Sequence, residues 1–450
     1  MRKFIIGGLI LLVLVAFFSA TGIPTVQAIG PTPTFIPPGK SSGGVVTAAA
    51  VRGQNGHVVM GYYTDWSVYG AQYFVKNLVT SGAAAKITHI NLAFGGVDTN
   101  GNCYDVDPWA DYQMGYTADN SVDGSTDPGW TGWGLPNYNY VGGSVPAQGV
   151  FHQLQELKAQ YPKIKVIWSI GGWTLSSNFG VAAASPAAAA SFALSCYNLL
   201  HQSGFGTLFD GIDIDWEYPN ACGNTCDTSG PNGVVTLMTA LRVQFGPDAL
   251  VTEAVPAGTN NINAANFAGV APYVNWFNVM TYDYFGPWAT NGPTAPVAPL
   301  FPWPGMPTAN GQGSAYIDST INQYLAKGVP ANKMLLGLPF YGYGWTGVAK
   351  ANGGLNQTAT GLATDPGGLF GATGTSEYHS LITACPPTGL VAGEVEAYCN
   401  GNWWAYETPG TISLKMVYKI LKGLGGTYFW DFSGDSANGA LVNAISRFNN

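Results

Sequence analysis

The sequence predicts an α/β fold, a TIM (β/α)8 barrel with a small α+β insertion between strands seven and eight. Three observations predict it. Short apolar runs alternate with longer segments from His57 to the end of the chain, and eight of them read as strands. One run carries acids on alternate residues with bulky apolar residues between, which suits a barrel strand ending at an active site. The length of 450 residues suits one barrel with insertions.

The strands are expected at 57–63, 87–94, 165–170, 209–218, 250–255, 276–282, 333–338 and 426–432. Between several of them lie helical patterns. Ser185-Pro186 is an N-cap followed by proline at the first helical position, opening an Ala-rich helix expected to end near Gly204. Ile317, Ile321, Tyr324 and Leu325 keep the 3.6-residue period of a second helix. A helix is expected at about 413–422. Two long gaps break the rhythm, one between strands two and three and one between strands seven and eight. The second is read as the inserted domain, 342–406, so the barrel comprises 56–341 and 407–450.

The N-terminus has the layout of a secretory signal, expected to span residues 1–28. Arg2 and Lys3 precede an apolar run, and Val26-Gln27-Ala28 supplies small residues for cleavage. The alternative, a membrane anchor, is disfavoured because the run is shorter than the ~20 residues a bilayer needs. Residues 29–55, rich in Pro, Thr, Gly and Ser, read as a flexible linker. An even cysteine count after an export signal suggests disulfides. Cys222 with Cys226, and Cys385 with Cys399, could each close a small loop, leaving Cys103 and Cys196 either paired or free. A metal half-site at Cys222 and Cys226 is disfavoured because no histidine lies near.

Only 9% of residues are charged, against roughly 25% in an average domain. The net charge is −8, so no basic face exists for nucleic acid. Aromatics at 13% with abundant neutral polar residues suit a neutral, sugar-like ligand. No metal or cofactor is expected, no membrane contact after signal cleavage, and a monomer.

The run Phe209-Asp210-Gly211-Ile212-Asp213-Ile214-Asp215-Trp216-Glu217-Tyr218 carries the chemistry. Alternation puts Asp213, Asp215 and Glu217 on one face and Ile212, Ile214 and Trp216 on the other. Three acids in one lumen repel, so at least one is expected to hold a proton at neutral pH. Asp210 has the opposite parity and is assigned a structural role. Two blander readings exist, a surface strand and a divalent-metal site. The apolar opposite face argues against the first, and the lack of a further acid or histidine cluster against the second.

This run resembles the Asp-x-x-Asp-x-Asp-x-Glu signature of glycoside hydrolase family 18. Ser169-Ile170-Gly171-Gly172-Trp173 resembles the family's strand-three motif, and Met280-Thr281-Tyr282-Asp283 its strand-six motif. Segments around Tyr62, Phe94, Tyr341 and Trp430 resemble strands one, two, seven and eight. The resemblance implies a secreted chitinase of the deep-cleft subfamily, acting on chitin and chito-oligosaccharides by retaining, substrate-assisted catalysis. It implies Glu217 as proton donor, Asp215 and Tyr282 as partners of the substrate acetamide, and Asp213 as proton-sharing partner of Asp215. It implies Trp430 as the floor beneath the reacting sugar, with Tyr62 and Phe94 beside it. Trp173 and Trp288 would stack on further sugars, and Asp283 would contact the sugar at or next to the reacting position. Met280 and Tyr341 would join the substrate-binding residues, and Ser169, Gly171 and Gly172 would support the site. Trp66, Trp130 and Trp133 match no motif, and cleft platform and loop packing remain equal alternatives. One departure stands out. Many relatives carry Arg where this chain has Tyr343. A binding protein on the same fold typically loses an acid of the signature, whereas this chain keeps them all. Endoglycosidases generally lack the large insertion, and wall hydrolases usually carry repeat modules.

Overall fold

The structure, a computed structural model, describes residues 58–129, 148–202 and 204–448. The expected export segment, the 29–55 linker, Trp130 and Trp133 lie outside the described residues. Eight parallel strands close into a barrel: β1 (Val58–Thr64), β2 (His89–Val97), β3 (Lys165–Gly171), β4 (Gly211–Asp215), β5 (Leu250–Val255), β6 (Trp276–Val279), β7 (Met334–Pro339) and β8 (Gly426–Trp430). Each pairs with the next, and β8 returns to β1 with Gly426 opposite Val58. Every residue of β1, β2, β4, β6 and β7 is buried, as expected of strands covered on both faces.

Helices cover the barrel where apolar faces demand it. Pro186–Leu200 opens as expected, the Ser185 hydroxyl accepting the Ala188 N–H at 3.1 Å. It ends before Gly204 because no apolar residue follows Leu200 until Phe205. The helix Pro409–Lys422 starts earlier than expected, because Thr408 caps it and Pro409 takes its first position. Ile212, Ile214 and Trp216 are buried in the layer between strands and helices, with the Trp216 ring stacked on Phe179 at 5.3 Å.

A second, antiparallel sheet occupies the span between β7 and β8. Its strands are Tyr341–Thr346, Gly361–Leu362, Thr375–Glu377, Gly389–Val391, Glu394–Cys399 and Asn402–Tyr406, with one helix, Tyr378–Ala384. All six cysteines pair: Cys103 with Cys196, Cys222 with Cys226, and Cys385 with Cys399. Among the described residues no helix is long and apolar enough to cross a membrane.

Three strands stop short of their expected ends. β4 stops at Asp215, β6 at Val279 and β8 at Trp430. Beyond β4 the ladder is replaced by side-chain bonds, the Glu217 N–H going to the Ser176 hydroxyl at 2.9 Å. The chain therefore leaves the sheet where it reaches the mouth of the barrel, and the chemistry-bearing residues lie on these departures.

Candidate active site

The lumen under the mouth is polar. Ser169, Asp213 and Thr252 are side by side in register on β3, β4 and β5. With Asn91 of β2 and Asn278 of β6 they are fully buried. Asp213 collects their donors. Its Oδ2 accepts from Tyr62 at 3.1 Å and Ser169 at 2.8 Å, and its Oδ1 from Thr252 at 2.5 Å and Asn278 at 3.0 Å. Burial raises its pKa, and these donors pull it back.

β3 can approach β4 this closely because of glycine. Gly171 has φ 116°, and a Cβ there would run into the Asp215 carbonyl oxygen. At Gly172, φ 90°, a Cβ would press the Phe94 ring.

Asp215 sits one pleat above Asp213. Burial first, then the charges of Glu217, Asp213 and Glu253, raise its pKa well above the ordinary carboxylate range. Its Oδ1 is buried with no hydrogen-bond partner among the described residues. A buried acceptor left without a donor calls for a partner, such as a ligand group or an ordered water. Glu217 is almost buried, and burial lifts its carboxyl to about 7. A hydrogen bond with Tyr218 opposes the shift and the Asp283 charge adds to it. The expectation of a held proton thus falls on Asp215 and Glu217, whose charges act on one another.

Tyr282 lies just past β6, its hydroxyl accepting from Tyr428 at 3.1 Å. Asp283 follows with φ 57° and is exposed. Its carboxylate accepts from Tyr341 at 2.6 Å and is also bonded by Tyr343. Crowding by surrounding protein raises its pKa and the two tyrosines lower it.

Aromatics form two groups. Trp430 stacks on Phe94 at 5.6 Å and 19°, with Tyr62 at 5.1 Å and Trp66 at 6.2 Å from Trp430. Trp66 thus joins this floor and is 43% exposed, which favours cleft platform over loop packing. Met280 is half-buried beside the same group. Trp173, 51% exposed, sits edge-on to Tyr218, and Trp288, 60% exposed, edge-on to Tyr343 at 6.0 Å. Asp210 lies apart, at the opposite end of β4. It binds Lys158 at 2.7 Å, Lys165 at 2.9 Å and the Val166 N–H at 2.9 Å.

Sequence reasoning missed Thr252, Asn278, Asn91, Tyr428, Ser176 and Tyr218. A signal existed for three of them: Asn91, Thr252 and Asn278 are polar residues inside apolar strand runs.

The family model for glycosyl hydrolases family 18 matches residues 58–435. The chain belongs to glycosyl hydrolases family 18. Chitinase C of Streptomyces lividans is 48% identical over 411 residues, covering 89% of this chain and 62% of that protein. Chitinase 1 of Aphanocladium album is 32% identical over 389 residues, covering 83% of this chain and 80% of that one. The chain thus spans about three-fifths of the length of the Streptomyces relative. The catalytic domain of psychrophilic chitinase B from Arthrobacter TAD20 superposes with a TM-score of 0.78 at 30% identity, covering 90% of this chain and 97% of that one. Both family-18 segments expected at the mouth, the strand-four acids and the strand-six Tyr-Asp pair, meet in one cleft here. The Tyr343 hydroxyl lies beside Asp283 and bonds to it.

Proposed function

We propose that the chain is a secreted chitinase that cleaves β-1,4 links beside N-acetylglucosamine by retaining, substrate-assisted catalysis through an oxazolinium intermediate. One observation carries the reading. A carboxyl held near pKa 7, Glu217, stands beside a buried carboxylate, Asp215, whose free oxygen lacks a donor. An acetamido N–H supplies that donor, and the neutral-to-charged balance of Glu217 suits an acid that later acts as base.

Glu217 protonates the leaving oxygen. The acetamido oxygen attacks the anomeric carbon from the opposite face, with Tyr282 steadying it by a hydrogen bond. Asp215, once its proton passes to Asp213, accepts the acetamido N–H and offsets the positive charge of the ring that forms. Asp213, held by neutral donors, keeps a charge beneath Asp215 that favours its protonated form, so the pair titrates together. Glu217 then takes a proton from water, which opens the intermediate with retained configuration. Trp430, Phe94, Tyr62 and Trp66 support the reacting sugar and its neighbours on one side, and Trp173 and Trp288 support them on the other. The names of the Streptomyces and Aphanocladium relatives support chitin as the polymer. Asp283 and Tyr341 contact the sugar at or next to the reacting position. Export rests on the sequence of residues 1–28, and N-terminal sequencing of secreted protein is expected to start near Ile29.

The test is a parallel digestion of chito- and cello-oligosaccharides. Only the first should be cleaved, with initial products in the β configuration. Equal turnover of both would remove substrate assistance, because cellulose has no acetamide.

A further inference from the structure

Where the chain leaves β4, it turns back on the residue that carries the proton. Gly223 lies against the Glu217 main chain. A Cβ there would run into the Glu217 carbonyl oxygen and meet the Trp173 ring at 3.4 Å. The φ of Gly223 lies outside the left-handed region, so glycine is needed here for space and not for backbone conformation. Tyr218, at the start of the same loop, bonds to the Glu217 carboxyl and meets the Trp173 ring edge-on at 6.5 Å. The loop thus packs behind the acid and beside Trp173 at once.

Two devices hold Gly223 there. The first is polar. Asp227 accepts the Asn220 N–H at 2.6 Å, and its own N–H goes to the Ala221 carbonyl at 2.9 Å. The Asn220 amide reaches the Ala264 carbonyl at 2.9 Å, which ties the loop to the helix Thr259–Ala264. The second is covalent. Cys222 and Cys226 lie on either side of Gly223 in the chain and are joined. Both are exposed, so the bond buries little, and its contribution is to limit the freedom of the loop.

We propose that Gly223, held in place by the Cys222–Cys226 disulfide, is a positioning residue for Glu217, whose main chain it fixes and whose carboxyl it helps to keep dry. A side chain at position 223, or an open disulfide, moves the loop outward and lets water reach the acid. Burial is the largest influence on that carboxyl and outweighs the opposing bond from Tyr218, so the loosened acid gives up its proton at lower pH. This inference rests on the reading of Glu217 as proton donor. The two are separable, because that reading is decided by the unaltered protein.

The experiment measures kcat and kcat/KM on chito-oligosaccharides between about pH 5 and about pH 9. It compares the unaltered protein with Gly223→Ala and with Cys222→Ser plus Cys226→Ser. The control is Cys385→Ser plus Cys399→Ser, which opens a bridge in the inserted domain. Folding of each is read by circular dichroism. Gly223→Ala should cut kcat by about 10²-fold, the cost of misplacing a reacting group by about 1 Å. It should also move the basic limb of the kcat/KM profile down by about one pH unit. Opening the Cys222–Cys226 bridge should move the limb the same way and less. The control should lose stability and keep the limb in place. A limb that stays put in both loop variants, or that moves equally in the control, would overturn the proposal. If Gly223→Ala does not fold, an unmoved limb in the Cys222 and Cys226 variant overturns it equally. An unaltered protein with no basic limb at about 7 would instead overturn the assignment of Glu217.

Discussion

The two ends of β4 hold the same residue type in opposite states. At the N-terminal end, Asp210 meets Lys158 and Lys165 and a backbone N–H, and its pKa is lowered. At the C-terminal end, Asp213, Asp215 and Glu217 meet neutral donors and other carboxylates, Glu253 and Asp283 among them, and their pKa values are raised. One end uses its charge to join strands. The other uses burial to keep protons available. Chemistry on this strand is thus a matter of which neighbours the fold provides, not of the carboxyl itself.

The largest effect should come from Glu217→Gln, which keeps shape and removes the transferable proton. The rate should fall by at least ~10²–10⁴-fold in steady-state assays with chito-oligosaccharides, while binding survives. Near-normal turnover would erase the distinction between the two ends.

Asp215→Asn comes next. It removes the counter-charge for the intermediate and should approach the loss seen for Glu217→Gln. Asp213→Asn should be milder and should move the pH profile, because Asp213 acts through the proton on Asp215. Equal damage from both substitutions, with no shift in pH, would merge their roles.

The pH profile sharpens the contrast further. Glu217 must be protonated to act, and its carboxyl lies at about 7. Activity in kcat/KM should therefore be full below that value and fall about tenfold per unit above it. A profile still flat at pH 9 would assign the proton donor elsewhere.

The smallest effect belongs to Asp210→Asn. Stability should drop by about 1 kcal/mol, read by denaturant unfolding, with activity unchanged. The sign differs between the ends. Asp210 has a lowered folded pKa, so its contribution is present at neutral pH and lost as pH falls through that pKa. The buried acids with raised pKa values do the reverse. Asp105 and Asp431, both pushed by burial to about 6, should make the protein more stable near pH 4 than near pH 7. A melting temperature that rises between those values would show that other groups dominate.

Local pattern was enough for the barrel, for the facing of Asp213, Asp215 and Glu217, and for the cap at Ser185, because alternation and helical period depend only on neighbours in the chain. The motif residues from Ser169 to Trp173 and from Met280 to Asp283 were legible only through their resemblance to glycoside hydrolase family 18. The tertiary structure decided what is assembled across strands. Thr252 and Asn278 reach Asp213 from 39 and 65 residues away. Trp66 meets Trp430 only when the barrel closes β8 onto β1. Cys103 finds Cys196 across 93 residues. Tyr343 reaches Asp283 from the first strand of the inserted sheet. Which acid is paired with lysine and which is left to burial is likewise a property of packing, since a pKa is set by the solvent and charges around a group. Sequence order does not state those surroundings, and closure of the barrel does.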